Sequence, residues 1–283
     1  MRQKRKNYLI SDLMINLLLF VITIGSTLFV GAIGANGNPI RNIGDILLGI
    51  PFSFSIMSIL SFHELAHYVA ARFHRVKASL PYFIPAPTLI GTLGAVIVMK
   101  SPMPNRRSLL DIGIAGPIGS FVLSIIFLII GLNLSTVNIT APEPERIALG
   151  SSILFSFIAD LIKGQLPDGY HIMLHPIAFA GWIGLLVTGL NLIPVGQLDG
   201  GHIAYALLGR WHATVAKIVF VSLLLLGFFT SRIWLFWAFL IFFMGLEHSP
   251  PIDNITSLDG KRKILAIFGL IMLIVSFVPA PIK

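Results

Sequence analysis

Apolar runs too long for most soluble helices alternate along this chain with short polar interruptions. The first covers residues 8–34 and follows a basic start carrying Arg2, Lys4, Arg5 and Lys6. It is too long for the apolar region of a signal peptide and lacks a clear small-residue cleavage site, so it reads as a first helix. Asn36, Gly37, Asn38 and Pro39 mark a turn, and residues 43–72 predict a second helix, closed by Arg72, Arg75 and Lys77. Pro81, Pro85, Pro87, Gly91 and Gly94 then break any long helix, while residues 92–98 read as a short β-strand. That stretch is too apolar for a solvated loop. Non-helical backbone at membrane depth is tolerated where it lines a protein cavity, so the pattern predicts a short re-entrant β element.

A third helix is predicted over residues 109–132, with Gly113, Gly116, Gly119 and Ser120 forming a small-residue face for close helix packing. Residues 133–175 are the longest relatively polar stretch, containing Pro142, Pro144 and Pro167 and only Arg146 and Lys163 as basic residues. Within it, residues 147–162 read as an amphipathic helix at the membrane surface, and the stretch is too short for an ordinary extra domain. A fourth helix, 177–193, stops at Pro194. A Gly-rich turn over 195–201 carries Asp199, and a further helical piece is expected near His202. Residues 213–246 are too long for one span and are interrupted by Thr230, Ser231 and Arg232, which predicts a helical hairpin. A polar loop over 248–263 precedes the last helix, 264–278. The predicted fold class is an all-α multi-pass membrane protein of about seven apolar helical segments, a single integral-membrane domain across 1–283.

Composition agrees with the pattern. The 283 residues are 55% hydrophobic and 11% charged, and the mean hydropathy is +0.89. There is no cysteine, which removes thiolate ligands and leaves histidine and carboxylate as the available zinc chemistry. A net charge of +8 would suggest nucleic acid for a soluble protein, but here Lys and Arg cluster beside apolar segments and read as topology signals. An N-terminus in the cytoplasm puts fifteen of the twenty on that side, leaving Arg41, Arg146, Lys163, Arg232 and Lys283 outside. The expected setting is the lipid bilayer of the cell membrane, with no nucleic-acid partner.

Against this background, residues 61–75 draw attention. His63 and His67 stand four apart in a helical run, so both imidazoles leave one face and can share a metal ion. Glu64, turned about 100° round the helix, can take a proton from a metal-bound water. In a soluble helix the same pattern can be an ordinary surface feature. Here it ends a hydrophobic run, where ionisable groups are costly and mark function. His63 lies nine residues before Arg72, which places it roughly 14 Å from the cytoplasmic end of the helix, in that half of the bilayer. Two histidines leave a catalytic zinc site short of its usual three protein ligands. Asp199 is the candidate third; its alternative is an N-cap for the following helix. His202 reads as a group supporting the site or as a capping or packing residue, and His74, His171, His175, His212 and His248 read as ordinary interfacial histidines.

The sequence resembles the site-2 protease family of intramembrane zinc metalloproteases. The resemblance rests on His63-Glu64-Leu65-Ala66-His67 in one membrane segment and Asn191-x-x-Pro194 followed by Leu198-Asp199-Gly200 in another, and it extends over residues 61–201. It implies a three-helix catalytic core over about 43–201 with peripheral helices at 8–34 and 213–280, and one catalytic zinc held by His63, His67 and Asp199. It also implies Glu64 as general base and Asn191 as a group that holds substrate or its developing oxyanion. Residues 116–120 look like the family's G-x-x-x-N/S/G element. The form expected is the compact one, without PDZ or CBS domains, acting on transmembrane protein substrates in regulated intramembrane proteolysis.

Two other classes fit parts of the pattern. A zinc transporter or noncatalytic membrane scaffold needs ligands but no general base, so Glu64 separates it from a hydrolase. The membrane H-E-x-x-H proteases that trim prenylated proteins commonly use glutamate as third ligand, and Asp199 in its Leu-Asp-Gly context argues against them.

Overall fold

The computed structural model describes residues 2–139 and 148–282, the side chains of residues 2–11 aside. Pro142, Pro144, Arg146, Lys283, the predicted start of the amphipathic helix at 147 and the side chains of Arg2, Lys4, Arg5 and Lys6 lie outside the described residues. Helix α1 (Arg2–Gly34) is followed by a turn through Asn36, in the left-handed region at φ 62°. The segment predicted as one helix from residue 43 divides into a 3-10 stretch, Ile43–Gly49, and the α-helix α2 (Ile50–Phe73). Pro51 explains the division. Its ring and missing N–H are tolerated in the first turn of an α-helix but not inside one, so the α ladder starts there. Gly49 lets α1 pass close by, since a Cβ would lie 2.0 Å from the Leu28 carbonyl oxygen.

The region after α2 is a hairpin, β1 (Tyr82–Pro85) antiparallel to β2 (Thr92–Val96), with Tyr82 opposite Val96 and an irregularity between Phe83 and Pro85. β2 stops two residues short of the predicted strand, but pairing resumes at the isolated Ala78–Met99 bridge. α1 holds the hairpin from one side. Phe20 and Phe83 meet edge-on at 4.9 Å, and Ser26 Oγ donates to the Gly91 carbonyl at 2.6 Å.

Helix α3 (Arg106–Leu134) begins three residues before the predicted start, because Asn105 and Ser108 form a capping box. The polar stretch holds a second antiparallel pair, β3 (Thr136–Ile139) and β4 (Tyr170–Met173), around α4 (Ile153–Lys163), the amphipathic helix. Then come α5 (Pro176–Asn191), α6 (Asp199–Leu208), α7 (His212–Phe229), α8 (Ile233–Met244) and α9 (Gly260–Ser276). α6 starts at Asp199, three residues before the predicted start.

Among the described residues four stretches are long and apolar enough to cross a bilayer: Asp12–Gly34, Ile43–Phe73, Arg106–Leu134 and Asp199–Phe229. The other expected spans, α5, α8 and α9, have 16, 12 and 17 residues. α5 is short yet central. Its Ala178, Ala180, Ile183 and Leu185 are almost fully buried among α2 and α3, so neighbouring protein rather than lipid surrounds much of it. The principal core joins Phe52, Ile56 and Leu60 of α2 to Leu128 and Leu132 of α3 and to the inner face of α5. A second cluster places α6 and α9 against the start of α3 through Leu109, Leu110, Ile203 and Met272.

Candidate metal centre

Helical periodicity sorts the middle of α2 into two faces. His63, Glu64 and His67 are 5%, 6% and 6% exposed, whereas Phe62, Leu65 and Val69 are exposed on the outside of the bundle. The two imidazoles are one turn apart, with ring centroids 4.7 Å from each other. Their second nitrogens have fixed partners. His67 Nδ1 lies 2.7 Å from the Ile112 carbonyl oxygen, which can only accept, so that nitrogen carries the proton and Nε2 presents its lone pair. His63 Nδ1 lies 3.0 Å from Ser120 Oγ on the same helix α3.

Asp199 reaches this pair from a tight turn. α5 ends at Asn191, Pro194 prevents a simple continuation, and Gly196 takes φ 55°, where a Cβ would also meet the Gly245 carbonyl oxygen at 2.2 Å. Leu198, not Asp199, occupies the N-cap position of α6, without a side-chain cap. The capping alternative for Asp199 therefore fails. Its Oδ2 lies 3.2 Å from His63 Nε2 and its Oδ1 lies 3.2 Å from His67 Nε2.

His63 Nε2 and His67 Nε2 are 3.1 Å apart and each lies 3.2 Å from a different oxygen of Asp199, so one donor atom from each residue lies within 4.8 Å of the others. A tetrahedral zinc site with bonds of about 2 Å has ligand-to-ligand edges of about 3.3 Å. His63, His67 and Asp199 are also the one group of three metal-binding side chains whose donor atoms converge among the described residues. α3 makes room for them: a Cβ on Gly116 would lie 2.1 Å from His67 Nε2. These residues fit a small divalent ion, with at least one coordination position left for water or substrate.

Two further groups border the triad. The Glu64 carboxyl faces the backbone N–H of Ile97, just after β2. Asn191 Nδ2 lies 3.4 Å from His63 Nε2, so the last side chain of α5 reaches the same opening.

Other histidines have partners that their positions in the sequence did not reveal. His202 turns from the triad to His248, with Nδ1 and Nε2 2.5 Å apart; Tyr205 stacks on His248 at 4.9 Å, and His212 is buried nearby. His212 and His248 are thus part of a packed cluster rather than free interfacial groups. Burial and the neighbouring His202 push the pKa of His248 down to about 4. His74 pairs with Asp111 at 2.9 Å, and His175 caps α5. Ser120 and Thr188, in contact at 2.9 Å, also join the site's surroundings. Nothing in the apolar run around Thr188 marks it.

The fold and site define a helical membrane protein in which two histidines and an aspartate converge as a group that could hold a metal ion, beside a buried glutamate. Residues 51–229 match the family described as Peptidase family M50, and the chain belongs to that family. In Arabidopsis thaliana it is 33% identical over 235 residues to the probable zinc metalloprotease EGY2, chloroplastic, covering 82% of this chain and 42% of that protein. Another Arabidopsis relative, the probable zinc metalloprotease EGY1, chloroplastic, is 32% identical over 238 residues, covering 81% and 43%. The probable zinc metallopeptidase EGY3, chloroplastic, from the same plant is 33% identical over 232 residues, covering 75% and 40%. The chain spans about two fifths of the length of these curated relatives.

Proposed function

We propose that this protein is an intramembrane zinc metalloprotease that hydrolyses peptide bonds in transmembrane segments of membrane-protein substrates. The observation that carries the reading is the convergence of His63, His67 and Asp199, with Glu64 buried on the same helix turn. In this reading those three residues hold one Zn2+, which supplies Lewis acidity when bound. Glu64 takes the proton from the attacking water and returns it to the departing amine. Asn191 directs its Nδ2–H towards the oxygen on which negative charge develops, and the packed α2, α3 and α5 surroundings strengthen that interaction by excluding bulk water. A metal transporter would need the ligands but not a base beside them. Glu64 therefore favours hydrolysis.

A helical substrate hides its peptide bonds and has to unwind. Among the described residues β2 pairs only with β1, and it lies next to the Ile97 amide that faces Glu64. An extended substrate segment adding to the free edge of β2 would pass the general base. The catalytic unit is residues 43–201, with 8–34 and 213–280 as peripheral helices in one integral-membrane domain. Seven apolar segments are read from the hydrophobic runs, and the distribution of basic residues agrees with that count and supports an N-terminus in the cytoplasm and a site in the cytoplasmic half of the membrane, which we take as the cell membrane.

The decisive variant is Glu64→Gln, tested on a model transmembrane substrate with zinc content measured in the same samples. It is expected to keep stoichiometric zinc while cleavage falls roughly 100- to 10,000-fold, the range for loss of a general base. Undiminished cleavage would overturn the role of Glu64, and zinc flux that survives the substitution without any cleavage would favour transport.

A further inference from the structure

We infer that Thr188 is a positioning residue for the metal centre, acting through Ser120 to hold His63 in the tautomer that can bind metal. This rests on the reading of His63 as a ligand. Thr188 is on α5 and fully buried, and Ser120 on α3 is 1% exposed. Thr188 Oγ1 lies 2.7 Å from the Gly184 carbonyl oxygen and 2.9 Å from Ser120 Oγ; Ser120 Oγ in turn lies 3.0 Å from His63 Nδ1.

Proton bookkeeping gives this chain a direction. The Gly184 carbonyl can only accept, so Thr188 donates its single hydroxyl proton there. The Thr188 oxygen then faces Ser120 as an acceptor. Ser120 donates to it, or to the Gly116 or Pro117 carbonyls at 3.2 Å, and in each case has no proton left for His63. With every one of these bonds made, His63 Nδ1 is the donor to Ser120, which leaves the Nε2 lone pair facing His67 and Asp199. In the opposite arrangement Ser120 would donate to His63, and either the oxygens of Ser120 and Thr188 would face each other at 2.9 Å with no proton between them or Thr188 would turn its proton to Ser120 and give up the shorter 2.7 Å bond to Gly184.

The opposite tautomer has an attraction of its own. Without a cation, a proton on His63 Nε2 would point at the Asp199 carboxylate 3.2 Å away. Thr188 opposes that arrangement from the far side of the ring, so the centre is arranged for metal before metal arrives. Close packing makes the reach possible: a Cβ on Gly184 would lie 2.1 Å from Ser124 Oγ, so glycine there lets α5 approach α3 without displacing that hydroxyl.

The test is the zinc affinity of the purified full chain, measured by competition with a chromophoric chelator. Thr188→Val removes the hydroxyl at nearly constant volume and is expected to weaken zinc binding roughly 10-fold, the lower end for loss of an outer-sphere partner. Thr188→Ser, which restores the hydroxyl, is expected to bind as wild type. Ser120→Ala interrupts the same chain from the other end, so it tests the link even if Thr188→Val fails to fold. In the Ser120→Ala background Thr188→Val should cost nothing further. Wild-type affinity in Thr188→Val, failure of Thr188→Ser to restore it, or additive losses in the double variant would overturn the inference. A wild-type protein that binds no zinc would overturn the underlying reading of the triad instead.

Discussion

The bond between His67 Nδ1 and the Ile112 carbonyl shows how much of this site depends on atoms that carry no sequence signal. Two histidines four apart on an apolar helix announce a shared metal because 3.6 residues per turn puts them on one face, and Asp199 stands out as a carboxylate between glycines in an apolar stretch. A backbone carbonyl has no letter of its own. Thr188 reads as one more small residue of an apolar helix, and its place near His63 depends on an interhelical distance. Gly116 is legible as part of a packing face and of the G-x-x-x-N/S/G element, whereas its specific demand comes from His67 Nε2, 2.1 Å from where a Cβ would stand. Gly116→Ala is therefore expected to weaken zinc binding by roughly 100-fold, as losing correct ligand placement does, with the fold retained. Unchanged zinc affinity in this variant would show that α3 gives way at that point.

At the scale of elements, periodicity located the main helices but not how they begin. α2 starts at Ile50 because of Pro51, α3 at Arg106 because of its capping box, and α6 at Asp199 because the turn ends there. β1 was hidden by Pro81 just before it and Pro85 at its end, and the pairing of β3 with β4 joins residues more than thirty apart across the polar stretch. Local patterns cannot report such pairing. The β1–β2 hairpin carries the element-scale prediction. Val96→Pro removes a backbone donor from β2 without touching a ligand, so it should leave zinc content intact and sharply reduce cleavage of a transmembrane substrate. Full cleavage by this variant would exclude substrate addition at that strand.

For the whole molecule, hydropathy established a membrane protein, while the bundle's interior is set by contacts between α2, α3 and α5 that no single segment encodes. Length and apolar composition together mark four crossing stretches among the described residues, and the shortness of α5 makes sense only once its neighbours bury it. The proposed orientation is checked by tag accessibility: a tag at the N-terminus and one at Asp253 should be reached from the cytoplasmic side, and one at Thr230 only from the other. Accessibility of all three from one side would contradict the arrangement. The central claim, that α2 and the start of α6 together hold a catalytic zinc, is tested most directly by zinc K-edge X-ray absorption on the purified, active protein and its Asp199→Ala variant. The predicted spectrum has two imidazoles and a carboxylate oxygen at about 2.0–2.2 Å, with the oxygen contribution or the zinc itself lost in the variant. A zinc shell without imidazole scattering, or one unchanged by Asp199→Ala, would contradict it.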